Sequence, residues 1–165
     1  MQEHAAGGYH GRILRVDLSR GTVAIEKIDP RFCRKYIGGA GFVAYYLHKE
    51  IKNRIDPLGP ENKIIFATGP LTGIALPGSG RHCVGGVSPL TGTISKSEVG
   101  EFWGAELKQA GFDAVIVDGK SSHPVYLWVN NGHASLRDAA NLWGKPTKET
   151  QEAIRQELGD NKIRV

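Results

Sequence analysis

Residues 63–97 read KIIFATGPLTGIALPGSGRHCVGGVSPLTGTISKS, and the parsing of this stretch decides the fold. KIIFAT (63–68) reads as a short buried strand, and HCVGGV (82–87) and TISKS (93–97) read as further strands. The connecting segments are loops: Gly69–Gly92 holds seven glycines and three prolines, and it repeats itself, GPLTG and then SPLTG. Turns explain two or three of these glycines. Seven around a single arginine, Arg81, have the composition of a cradle, because glycine lets backbone approach a bulky flat ligand at the cost of extra folding entropy. The guanidinium is always charged and offers a planar fork of donors, which suits a carboxylate, a phosphate or a heteroaromatic edge. A surface salt bridge is the competing reading of Arg81.

Toward the N-terminus, Arg12–Leu18 alternates apolar and polar residues, Ser19-Arg20-Gly21 turns, and Thr22–Ile28 continues as the second arm of a hairpin. Asp29-Pro30 has the form of an N-cap and first helical residue, Gly38-Gly39 interrupts, and Ala40–Ile51 carries Val43, Leu47 and Ile51 on one helical face. Toward the C-terminus, Gly100–Ala110 reads as a helix stopped by Gly111, DAVIVDGK (113–120) as a strand, and PVYLWVNNGHASLRD (124–138) as a hairpin around Asn131-Gly132. A last helix runs from an N-cap at Thr147 to Gly159, and KIRV (162–165) has the composition of a strand's first residues. The sum is a strand-rich α+β domain. Its strands come in hairpins, which favours antiparallel or mixed sheets over a doubly wound parallel one.

Two phosphate motifs fail on their context. Gly39-Ala40-Gly41-Phe42-Val43-Ala44 fits G-x-G-x-x-A, but a charged helical segment precedes it where a buried strand is required. The glycines at 38–41 are read either as a helix break allowing close backbone approach or as a ligand contact. Gly119-Lys120-Ser121 has no glycine five residues earlier and is followed by a strand. Cys33 and Cys83 are fifty residues apart without a CxxC, so they read as two buried thiols and leave no zinc or iron–sulfur ligand set within this chain.

The 165 residues carry a net charge of +4 with basic and acidic side chains interleaved, which argues against nucleic acid as a partner. The apolar runs are far short of the ~20 residues that span a bilayer. No basic and apolar leader stands at residues 1–9, so the expected location is cytoplasmic.

Six motifs carry a resemblance: GYHGRILRVDLSRGTV (8–23), YIGGAG (36–41), DPLGPENKIIFATGPLTG (56–73), PGSGRHCVGGVSPLTG (77–92), FWGAELKQAGFDAVIVDGKSSHPVYLWV (102–129) and DAANLWGKPTKETQEAIRQELGD (138–160). Together, in unbroken order, they resemble the N-terminal domain of the tungsten-containing aldehyde:ferredoxin oxidoreductase family. The resemblance implies residues 1–8 as an extension and 9–165 as that domain. Its fold would be two β-sheets related by a pseudo-twofold with a few short helices, the second sheet incomplete because the family continues past this point with a glycine-rich segment. It implies a tungsten or molybdenum bis-pyranopterin held through dithiolene sulfurs, magnesium bridging the pterin phosphates, and a 4Fe–4S cluster ligated by residues outside this chain. The implied activity is oxidation of aldehydes to carboxylic acids with ferredoxin, or an electron-transfer subunit, as acceptor. The remaining domains or a partner subunit would complete the enzyme, a homo-oligomer in full form, and the chain alone would not be active. A catalytically inactive scaffold or assembly module with the same fold is the alternative.

Carried onto this sequence, the resemblance places Arg81 between pterin and cluster. It places Ser97, Glu98 and Gly100 in the segment that touches the pterin, with the Glu98 backbone carbonyl on magnesium, and Gly80 and Gly39 at glycine sites of the cofactor platform. Here Glu98 stands where an asparagine is familiar, and Glu101 replaces a second glycine. A carboxylate beside phosphates needs an offset from magnesium or Lys96. Trp103, Trp128 and Trp143 are expected in the core, and His82 and Lys120 as surface or framework residues.

Overall fold

The computed structural model describes residues 7–165. The N-terminal extension assigned to residues 1–8 therefore lies almost wholly outside the described residues. The elements are β1 (Arg12–Asp17), β2 (Thr22–Lys27), α1 (Pro30–Tyr36), α2 (Ala40–Glu50), β3 (Lys63–Thr68), β4 (His82–Val87), β5 (Ile94–Val99), α3 (Trp103–Gln109), β6 (Ala114–Asp118), β7 (Val125–Asn130), β8 (His133–Asp138) and α4 (Thr147–Leu158). Among the described residues, eight strands and four helices give an α+β domain.

Six strands form one mixed sheet in the order β2-β1-β6-β3-β4-β5, and β7 and β8 form a separate two-stranded sheet. Stretch 63–97 folds as read, an antiparallel meander with Ala67 opposite Cys83 and Cys83 in turn opposite Glu98. The only parallel neighbours in the sheet are β1 and β6, with Leu14 opposite Val115. Strand alternation splits the core in two. Ile13, Ile65, Ala67, Cys83, Ala114 and Ile116 face α1 and α2, where Phe42, Val43, Tyr46 and Leu47 meet them. Leu14, Val16 and Val115 face the other way, toward Leu107, Phe112 and the inner side of β7 and β8. The central β6 is buried on both faces, which is why its sequence is the unbroken apolar run AVIV.

Asp29 caps α1 as expected, its carboxylate accepting from the Arg31 N–H at 2.6 Å. Three boundaries differ. Helix α3 begins at Trp103, three residues later than read, because Glu101 takes a left-handed backbone (φ 71°) that no helix tolerates. The N-cap of α4 is Pro146, with Thr147 already helical. KIRV forms no strand; Arg164 instead lies over the Phe102 ring, 4.3 Å from its centre.

Two ionic clusters hold the layers together. The carboxylate of Asp113, fully buried, accepts from the N–H groups of His10 (3.0 Å), Gly11 (2.7 Å) and Arg12 (3.3 Å) and is paired with Lys108. It thus ties the chain leading into β1 to the start of β6. On the opposite face Glu50, at the end of α2, binds Arg15 of β1 (2.8 Å) and Lys63 of β3 (3.2 Å), and Lys63 also reaches Asp118 of β6 (2.6 Å). Burial alone would raise the Glu50 carboxyl, but the bonds from Arg15 and Lys63 hold it below its ordinary value. Among the described residues no helix is long and apolar enough to cross a membrane.

Candidate functional site

The β3–β4 connection and the segment after β5 meet at one end of the sheet. Because His82 pairs with Val99 and Cys83 with Glu98, continuing the same register sets Arg81 beside Gly100 and Gly80 beside Glu101. The approach at the second pair is so close that a Cβ on Gly80 would stand 2.0 Å from the Glu101 carbonyl oxygen. Arg81, Gly80 and Gly100 are thereby brought together, whereas Ser97 and Glu98 lie further along β5, opposite Val84 and Cys83 and outside the cavity lining. Gly39 lies one layer away: a Cβ there would stand 3.8 Å from the Cβ of Cys83, the residue opposite Glu98.

Between the two segments lies an open cavity of about 390 Å³ lined by Gly73, Ile74, Gly80, Arg81, Gly100 and Phe102, among others. Its polar equipment is sparse. Arg81 is exposed, and among the described residues its guanidinium makes no hydrogen bond and no ion pair, although its charge reaches the Glu98 carboxylate. Glu98 is paired with Lys96 at 2.6 Å. That bond, then the lysine's charge, and last the charge of Arg81, hold the Glu98 carboxyl below its ordinary value, so the offset that a carboxylate here requires comes from Lys96.

The glycines differ in why they are glycine. Gly38 and Gly39 have φ of 131° and 50°, and a Cβ on Gly38 would lie 2.4 Å from the Thr68 carbonyl oxygen. Their requirement is the helix break and the close approach to β3, where the Gly39 N–H donates to Thr68 at 3.0 Å. Gly80 is required by Glu101. Among the described residues nothing requires Gly100: its φ is not left-handed and a Cβ there would meet no atom within 4 Å. It lines the cavity all the same.

Beneath the cavity His82 is 7% exposed and stacks on Trp103 with ring centres 4.9 Å apart. Its Nδ1 is buried without a partner, and burial lowers the imidazole's pKa, so the ring is neutral near pH 7. The framework reading of His82 is the one the structure bears out. Cys33 and Cys83 are free and buried as read, and burial pushes the Cys33 thiol up to about 11. Trp103 packs on Phe66 as well as on His82, and Trp128 lies under Arg137. Trp143 corrects the expectation: it is 79% exposed, because the segment after β8 turns its backbone, and not this ring, toward Ala139.

Sequence reasoning passed over Thr72. This side chain is 8% exposed, accepts from the Gly69 N–H at 2.9 Å and donates to the Arg81 carbonyl at 2.9 Å. The signal available was the repeated PLTG, with Thr72 in one copy and Thr91 in the other. It also passed over the pair of Lys108 and Asp113, which no local pattern announces.

Fold and site define a class: a strand-rich α+β domain whose sheet ends in a glycine-lined platform beside which the Arg81 guanidinium has no partner among the described residues. The profile of the aldehyde ferredoxin oxidoreductase N-terminal domain matches residues 13–165, and the chain belongs to that family. It is 49% identical over 158 residues to the tungsten-containing aldehyde ferredoxin oxidoreductase of Pyrococcus horikoshii and 48% identical to that of Pyrococcus abyssi, covering 96% of this chain and 26% of each relative. Among solved structures it is similar to the active site complex BamBC of benzoyl coenzyme A reductase in complex with 1,5-dienoyl-CoA. That likeness has a TM-score of 0.90 and 41% identity, over 94% of this chain and 24% of that one. The chain thus spans about a quarter of the length of the relatives it matches.

Proposed function

We propose that this chain is the cofactor-binding portion of a tungsten or molybdenum bis-pyranopterin oxidoreductase that converts aldehydes to carboxylic acids. Residues 9–165 would be the domain proper, short of the segment that completes its second sheet, with residues 1–8 an extension. The observation that carries the reading is Gly100, a cavity-lining glycine that neither backbone conformation nor packing within the chain explains. A flat ligand resting on the backbone explains it.

The residues present fit such a group. Arg81 has an uncommitted guanidinium at the cavity and would donate to cofactor or cluster sulfur while compensating negative charge. Gly80, Ser97 and Gly100 would present backbone to the pterin, and Gly39 would support the platform from the layer behind. The Glu98 carbonyl would face magnesium, with Lys96 neutralising the Glu98 side chain. When bound, the metal centre supplies a two-electron oxidation in which the aldehyde gains the oxygen of water and two protons are released. A 4Fe–4S cluster with ligands outside this chain would supply the route for the electrons to ferredoxin or an electron-transfer subunit. A homo-oligomeric enzyme in the cytoplasm completes the picture.

The test is metal and pterin content of the protein purified anaerobically from its native host, beside Gly100→Val and Arg81→Ala. Tungsten or molybdenum with pterin at a fixed ratio, lost in Gly100→Val while the fold is kept, is the expected result. Neither metal nor pterin in the wild type would overturn the reading in favour of a scaffold that keeps the fold.

A further inference from the structure

Arg81 stands at the end of a thirteen-residue connection, residues 69–81, and nothing holds its tip. Among the described residues the guanidinium has no partner, so what these residues fix is its root, the backbone of residue 81, and with it the region the charge can reach. That root has one side-chain restraint. The Thr72 hydroxyl donates to the Arg81 carbonyl (2.9 Å) while accepting from the Gly69 N–H (2.9 Å), and the Thr72 N–H donates to the Gly69 carbonyl (3.2 Å). One hydroxyl therefore joins the residue that follows β3 to the residue that precedes β4. The rest of the loop is closed on itself by Ser79, whose hydroxyl donates to Ile74 (2.6 Å) and whose carbonyl accepts from Gly73 (2.9 Å).

A buried hydroxyl flanked by exposed Leu71 and Gly73 is not there for packing, since valine has the same shape. We infer that Thr72 is a positioning residue, and that its hydrogen bond to the Arg81 carbonyl sets where the guanidinium stands over the cavity. The inference rests on the reading of Arg81 as a cofactor contact. A long side chain is a lever, so a small rotation at the root displaces the charged end by far more. A misplacement of about 1 Å at a reacting centre costs up to ~100-fold in rate.

The experiment is made on the full-length enzyme that carries this domain, purified with its metal centre. Thr72→Val, Thr72→Ser, Arg81→Lys and the double variant Thr72→Val/Arg81→Lys are compared for metal and pterin content, for the midpoint potential of the metal centre and for kcat and KM. Thr72→Val is expected to retain the metal, to lower kcat about tenfold with KM little changed, and to move the potential in the same direction as Arg81→Lys. Thr72→Ser, which keeps the hydroxyl, is expected to restore both. In the Arg81→Lys background the further effect of Thr72→Val is expected to vanish, because the two residues act as one unit.

If Arg81→Lys shifts the potential and Thr72→Val does not, the positioning role is overturned and the cofactor reading stands. If Arg81→Lys itself leaves potential, metal content and rate unchanged, the reading of Arg81 fails and the inference with it. An equal loss from Thr72→Val in both backgrounds would assign Thr72 a structural role only. Should Thr72→Val not fold, Thr72→Cys keeps the size with only a weak donor and is put through the same comparison.

Discussion

The segments Gly69–Gly73 and Ser88–Gly92 share the letters PLTG and are built differently from the first hydrogen bond onward. In the first copy the threonine is inside, bonded to Gly69 and Arg81. In the second the serine does the work: the Ser88 hydroxyl accepts from the N–H groups of Leu90 (3.2 Å) and Thr91 (3.4 Å), while Leu90 is 92% exposed. The two copies lie at opposite ends of the β3–β4–β5 meander, one at the cavity and one at the tip of the β4–β5 hairpin. The same residues make a clamp where the chain must hold a long connection closed, and a bare turn where paired strands already close it.

The sharpest way to break this comparison is through the glycines. Gly80→Ala drives a Cβ to 2.0 Å from the Glu101 carbonyl oxygen, a backbone atom that cannot step aside alone. Its expected cost is about 3 kcal/mol, at the upper end for overpacking. Gly92→Ala, at φ 67° with open space around it, pays only for the left-handed backbone, about 1 kcal/mol. Denaturant midpoints at unchanged slope read the difference. Equal costs would mean that the cavity end of the sheet yields as easily as the hairpin tip.

A threonine pair comes next. Thr72→Val leaves the part-buried Gly69 N–H and Arg81 carbonyl short of a partner and is expected to lose about 1.5 kcal/mol. Thr91→Val removes an exposed contact with Thr93 and is expected within about 0.5 kcal/mol of wild type. Thermal unfolding of both variants at one pH decides whether the clamp belongs to the first copy alone.

A smaller contrast is written in pH. His82 follows Arg81 at the clamped end, and its folded pKa lies below its ordinary 6.5, so the unfolded chain binds the proton more readily. Stability attributable to the neutral ring is present above about pH 6.5 and declines as pH falls below it. His82→Gln is expected to flatten the stability profile between pH 7 and 5.5, a window above the one in which Glu50 begins to lose its pairs with Arg15 and Lys63. An unchanged slope would show that this histidine is not the group that titrates.

Much of the fold was legible because its signals are local. The Asp29 cap, the Asn131-Gly132 turn with φ of 46° and 81°, and the meander through 63–97 all follow from residues a few positions apart. Arg81 was marked by the glycines around it and Gly39 by the break at 38–41, while Gly80, Ser97, Glu98 and Gly100 came from the family resemblance; Gly100 alone among the six is marked by the geometry as a glycine that the described residues do not require. What stayed hidden depends on distant partners. The parallel pairing of β1 with β6 joins residues a hundred positions apart, and Asp113 is a buried carboxylate only because His10, Gly11 and Arg12 arrive with N–H groups to spare. Trp143 was misread because a large apolar ring raises the prior for the core without fixing which side of a turn it takes.

The smallest expected effect tests the other half of the comparison. Ser88→Ala removes the hydroxyl that accepts from Leu90 and Thr91, two hydrogen bonds by distance. The turn keeps its frame without them, since the Ser88 N–H still donates to Thr93 (2.9 Å) and the Gly92 N–H to Ser88 (2.8 Å). The released N–H groups lie at the surface and exchange a serine oxygen for water, so little desolvation penalty remains to be felt. A loss below about 0.5 kcal/mol is expected, read by the same denaturant midpoints that measure Gly80→Ala and Gly92→Ala. A loss of ~1 kcal/mol or more would mean that the hairpin tip also depends on its side-chain oxygen, and then the contrast between the copies would be one of exposure alone and not of construction.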